Sequence, residues 1–130
     1  MTFLELFENA IHTISESPSQ GNVSDYEERA SYIFATFCAQ CMDIDSKYRS
    51  AYGSDSSGSV NATYVELSDI FPLSDVFMAP AIYYLCAMLT LDENEEMSDK
   101  FFELYSDEVA SIQASLPYSC ESIEDRYSLI

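Results

Sequence analysis

Four cysteines, one histidine and 23 acidic side chains are what this 130-residue chain offers for chemistry. Cys38 and Cys41 make a CxxC, the spacing of a redox couple or of half a zinc site. A redox pair sits at a helix N-terminus, where the dipole lowers the thiol pKa. The apolar spacing around Cys38 and Cys41 instead puts both in mid-helix, with Cys41 on the buried stripe. Zinc needs two more ligands, and the remaining candidates are scattered: Cys86 in an apolar segment, Cys120 near the C-terminus, His12 in the first helix. We therefore read the pair as buried or half-buried thiols. His12 has no nucleophile pattern and no ExxH partner nearby, and is read as a surface or boundary side chain.

Carboxylates are the other candidates. Asp92, Glu93, Glu95, Glu96, Asp99 and Glu103 fall about one helical turn apart, as in a Mg²⁺ site. All-helical nucleotide pyrophosphatases use EExxE-type clusters on two helices, and Asp25, Glu27 and Glu28 are candidates for a second half. The same acidic residues suit the first turns of a helix, where negative charge complements the dipole. No glycine-rich phosphate loop is present. Only Arg29, Lys47, Arg49, Lys100 and Arg126 are basic, which leaves a formal net charge of −18. That balance opposes binding to nucleic-acid phosphates and to anionic membranes. It suits simple solubility, a basic protein partner, or a surface that repels DNA passing close by. Ten tyrosines, several of them in expected loop or tail positions (Tyr52, Tyr64, Tyr118, Tyr127), are what a protein–protein interface carries, although core use and hydrogen-bonded capping account for most of them.

Helices must position these groups. Residues 76–91 contain no charge, and a helix without a polar face has to be buried among others. This stretch is too short to span a bilayer, which takes ~20 apolar residues, and Pro80 near its start is tolerated there. It is the expected central helix. A first helix over residues 2–15 opens on a Thr2/Glu5 capping box. A second opens on Ser24 with Glu27 and runs to about Tyr52. Its stripe is Tyr26, Ala30, Ile33, Phe34, Phe37, Cys41, Ile44 and Tyr48. A fourth starts near Glu95, buries Met97, Phe101, Tyr105, Val109, Ile112 and Leu116, and is closed by Pro117. Residues 53–59 read as a flexible loop, and the period-two alternation over 60–65 favours a short strand, which must pair with another chain or an unrecognised segment, or not form at all. The expected architecture is mainly α: a small bundle of about four helices in one domain, residues 1–117. A long loop with a short β segment joins helices two and three. Residues 118–130 form a C-terminal arm or a short docking helix. The N-terminus has acidic residues and no basic stretch of the signal-peptide kind, so cytoplasmic synthesis and free thiols are expected.

One family likeness emerges from the C-terminal half. The sequence FPLSDVFMAPAIYYLCAMLTLDENEEMSDKFFELYSDEVASI, followed by SIEDRY, resembles small bacteriophage and prophage head–tail connector (adaptor) proteins. The matching stretches are the strand-like residues 60–65, the turn at 71–75 and the apolar helix at 81–85. They continue through the acidic turn at 92–98, the aromatic helix at 101–105 and the tail at 123–127. The likeness covers about half the chain, and its motifs concern packing and capping.

What the resemblance implies is a non-enzymatic virion protein, made in the bacterial cytoplasm, that assembles as a ring between portal and tail. Its partners would be portal and tail-neck proteins and further copies of itself. It would use no cofactor or metal, contact no membrane, and let DNA pass without binding it. Tyr64, Val65, Tyr118, Ile123, Tyr127, Leu129 and Ile130 are the expected interface residues. An acidic adaptor for a basic protein partner is the alternative, and a Mg²⁺-dependent nucleotide pyrophosphatase ranks third.

Overall fold

The computed structural model describes residues 1–14, 23–52 and 63–116. They form four helices: α1 (Phe3–Thr13), α2 (Val23–Tyr52), α3 (Met78–Thr90) and α4 (Glu95–Ser115). A short 3-10 turn, Asp75–Phe77, leads into α3. The chain is a small helical bundle, as its sequence leads one to expect. No strand occurs among the described residues. Thr63, Tyr64 and Val65, the described part of the expected strand, follow an irregular path, and the only bridge among the described residues pairs Thr2 with Ile70. The correction has a local cause: the Val65 amide donates to the Ser31 carbonyl of α2 rather than to a strand, at 3.2 Å. Residues 53–62 and 117–130 lie outside the described residues, and with them the flexible loop, the rest of the strand and the C-terminal arm.

The charge-free helix is the centre, as expected. α3 packs most extensively against α4 and also against α1 and α2, and Ala81, Leu85, Cys86 and Ala87 are fully buried. Its C-terminal carbonyls, which lack intrahelical partners, are met from three directions. Ala87 accepts from the Ser98 hydroxyl of α4 at 2.8 Å. Met88 accepts from Arg29 of α2 at 3.2 Å. Thr90 accepts from the amides of Glu93 and Asn94. Charge suits the Arg29 contact, since a guanidinium here faces the negative end of the dipole.

α1 opens on the expected capping box. The Thr2 hydroxyl accepts from the Glu5 amide, and the Glu5 carboxylate accepts from the Thr2 amide. The next orphan donors, Phe3 N–H and Leu4 N–H, go to the carbonyls of Asp69 and Leu67. The 67–69 segment therefore completes the start of α1. α2 already includes Val23, so Ser24 lies inside the first turn rather than at the cap. α4 begins at Glu95, with Asn94 as its N-cap accepting from the Met97 amide. Its stripe is where the sequence puts it but packs less deeply: Ile112 is buried, while Met97, Phe101, Tyr105, Val109 and Leu116 are half-buried. The reason is that α4 lies along α3 and meets α2 mainly through long side chains, such as Tyr105 reaching Gln40.

Candidate functional site

Burial rather than reactivity describes the thiols. Cys38, Cys41 and Cys86 are free and buried. Desolvation is the first cause raising all three pKa values: Cys38 and Cys86 to about 12, Cys41 to about 11. This is the reverse of what a nucleophile needs. Cys41 shares its surroundings with an aromatic cluster. The Tyr84 and Tyr105 rings lie 5.0 Å apart, both within about 6 Å of Phe37. Burial also raises the pKa of both phenols.

His12 is exposed in the last turn of α1. The carboxylates Asp92, Glu93, Glu95, Glu96, Asp99 and Glu103 are exposed too. One feature does join the two acidic stretches of the sequence: Tyr26 of α2 donates to Glu93 at 2.6 Å. Arg29 stands close by, 3.9 Å from Asp25. The junction thus carries a phenol and a guanidinium. Among the described residues, no group of three or more His, Cys, Asp or Glu side chains is placed to hold a metal ion. No described helix is long and apolar enough to cross a membrane.

Among the described residues, one surface offers a ligand both apolar and charged groups. Between α2 and the 64–68 segment lies an open groove of about 490 Å³. Leu4, Tyr64 and Leu67 supply its apolar and aromatic lining, and Glu27, Glu28 and Glu66 supply carboxylates. Its position follows from the helix-start contacts above. Leu4 N–H to Leu67 O and Val65 N–H to Ser31 O tie the segment to α1 and α2, leaving the groove between them. Leu4 in its lining is 39% exposed, and Tyr32, which touches Tyr64, is 54% exposed. Tyr32 and Tyr64 meet edge to face at 5.2 Å, so each helps hold the other's ring in place.

Of the expected interface residues, Tyr64 is exposed and lines this groove. Val65 is buried in the chain's own core. Tyr118, Ile123, Tyr127, Leu129 and Ile130 lie outside the described residues. The spacing of α2 signals Tyr32 weakly, because a tyrosine off the apolar stripe looks like any solvated position. Glu66, Leu67 and Leu4 carry no local signal at all; they meet through backbone contacts between distant segments. No protein-family model, curated protein or solved structure matches the chain.

Proposed function

We propose that this chain is a non-enzymatic assembly protein of the phage head–tail connector kind, a ring component between portal and tail. The observation that carries the reading is the exposed aromatic pair Tyr32 and Tyr64 at the groove between α2 and the 64–68 segment. The two rings meet edge to face beside the open groove, next to a backbone segment that caps α1. Exposed aromatic side chains beside a groove are what a protein–protein interface carries. The resemblance of the C-terminal half supplies the identity of the assembly. The net charge of −18 supports it as well, since a wall that repels phosphates lets DNA slide past without sticking.

Quantitative mass spectrometry of particles released on prophage induction tests the proposal. The expected outcome is this chain in purified particles at a fixed ratio to the portal subunit. Abundance in the lysate with absence from intact particles would sink it.

A second reading is favoured by one observation, the three glutamates lining the groove. An acidic adaptor would bind one basic protein stoichiometrically and stay out of particles, so the same experiment separates the two.

A further inference from the structure

We infer that the groove between α2 and the 64–68 segment binds an extended segment of another protein, one that carries lysine or arginine beside an apolar side chain. The inference rests on reading this face as protein-binding and adds the chemistry of what it binds.

Charge decides the sign of the occupant. Glu27 and Glu28 approach from α2 and Glu66 from the opposite wall, all three exposed. None of the ion pairs among the described residues involves them. A cationic side chain entering the groove would meet carboxylates from two sides, with Ser24, Ser31 and Ser68 available for hydrogen bonds. Leu4, Leu67 and the Tyr64 ring give the same segment an apolar surface to lie on. The juxtaposition suits an alternating basic and apolar strand of chain, because alternate side chains of an extended peptide point to opposite sides.

The source of that charge is another protein. Residues 117–130 of this chain carry Glu121, Glu124 and Asp125 against Arg126 alone, so their own charge opposes the groove. A second copy is poorly equipped as well. Of its five basic residues, Arg49 is committed to Asp45 and Pro72, Arg29 to Asp25 and Met88, and Lys47 to Asp43, and Arg126 lies among the acidic residues named above, which leaves Lys100 of α4 as a single cation beside Glu96. Nucleic acid has the wrong sign.

The test uses the full chain and a short fluorescein-labelled peptide in which lysine and leucine alternate, read by anisotropy. Combined Glu27→Gln, Glu28→Gln and Glu66→Gln substitution is expected to weaken binding about tenfold. The combination Glu103→Gln, Asp107→Asn and Glu108→Gln removes the same charge from exposed positions on α4, and is expected to change affinity by less than about twofold. Equal losses in the two variants would mean diffuse attraction to an acidic surface and would overturn the inference. A lysine–glycine peptide that bound as tightly would overturn the apolar part. A benzophenone side chain introduced at position 68 reports the occupant directly. Crosslinking to the added peptide supports the inference; crosslinking to residues 117–130 or to a second copy in the peptide's presence overturns it. Loss of peptide binding in a chain still found in particles leaves the connector reading standing and ends this one. Specific peptide binding by a chain absent from particles does the opposite.

Discussion

Arg49 holds Asp45 at 2.9 Å, one turn away on α2, with the Asp45 side chain wholly shielded from solvent. The other carboxylate oxygen accepts from the Ser74 amide at 2.9 Å, and Arg49 also donates to the Pro72 carbonyl at 3.0 Å. The pair thereby pins the segment before α3 onto the middle of α2. Breaking a buried pair from one side leaves a charge with nothing to balance it. Arg49→Met is expected to cost about 3–5 kcal/mol, read as a drop in the urea midpoint. Adding Asp45→Leu to that variant should recover part of the loss. A double variant less stable than Arg49→Met alone would show that the contacts to Pro72 and Ser74, not the charge balance, carry the effect.

That pair also marks where the sequence stops being legible. α3 announces itself because sixteen residues without charge have only one place to go, and α1 because Thr2 and Glu5 form a local, self-contained signal. Along α2 the deeply buried line runs Phe34, Cys38, Cys41, Asp45. Reading apolar residues alone selects Ile44 instead, which is only half-buried. A carboxylate occupies the core position because the Ser74 amide, 29 residues away, and Arg49 meet it there. The groove escaped for the same reason. Glu27 and Glu28 read as capping charge or as half of a metal cluster, and Glu66 carries no signal, until backbone contacts bring residue 66 beside α2. The irregular 63–65 segment shows the converse. Alternation fits a strand, but burying Val65 requires only one side chain to point inward, and the Ser31 carbonyl satisfies its amide.

The start of α4 depends on a single side chain. Asn94 Oδ1 accepts from the Met97 amide at 3.0 Å, satisfying one of the helix's orphan donors. Asn94→Ala is expected to lower stability by about 1 kcal/mol, and Asn94→Asp to leave it nearly unchanged. Thermal melts of the two variants beside the parent would check the ordering.

The buried thiols should be silent in the native protein. With Cys38 and Cys86 pushed up to about 12 and Cys41 to about 11, almost no thiolate exists near neutral pH. Iodoacetamide at mildly alkaline pH is expected to leave all three unmodified, and to label them once urea is added, as counted by peptide mass spectrometry. The same shifts fix a pH dependence. The unfolded thiols ionise near 9.0 while the folded ones stay protonated, so the unfolded state binds fewer protons and stability falls as pH rises. Tyr84 and Tyr105 act in the same direction from their own raised values. The urea midpoint should hold steady below about pH 9 and decline above it. A flat profile through this range would contradict the burial of these groups.

Ser98 and Ala87 set how closely α4 approaches α3. Ser98 is fully buried, and its hydroxyl reaches the Ala87 carbonyl at 2.8 Å near the end of α3. Neither side chain is large, so the backbones meet with no slack for added volume. Ser98→Val inserts a branched side chain into that contact and removes the donor, and overpacking of this sort costs about 1–3 kcal/mol. Ser98→Ala loses only the hydrogen bond and is expected to cost about 1 kcal/mol. Tyr83 and Phe101 stack across the same pair of helices at 6.4 Å, so Ser98→Val should also disturb their ring signals in the NMR spectrum, while Ser98→Ala leaves them in place. If both variants proved equally mild, the α3–α4 contact would have room to spare, and the half-buried stripe of α4 would have to be explained by something other than close packing at its N-terminal end.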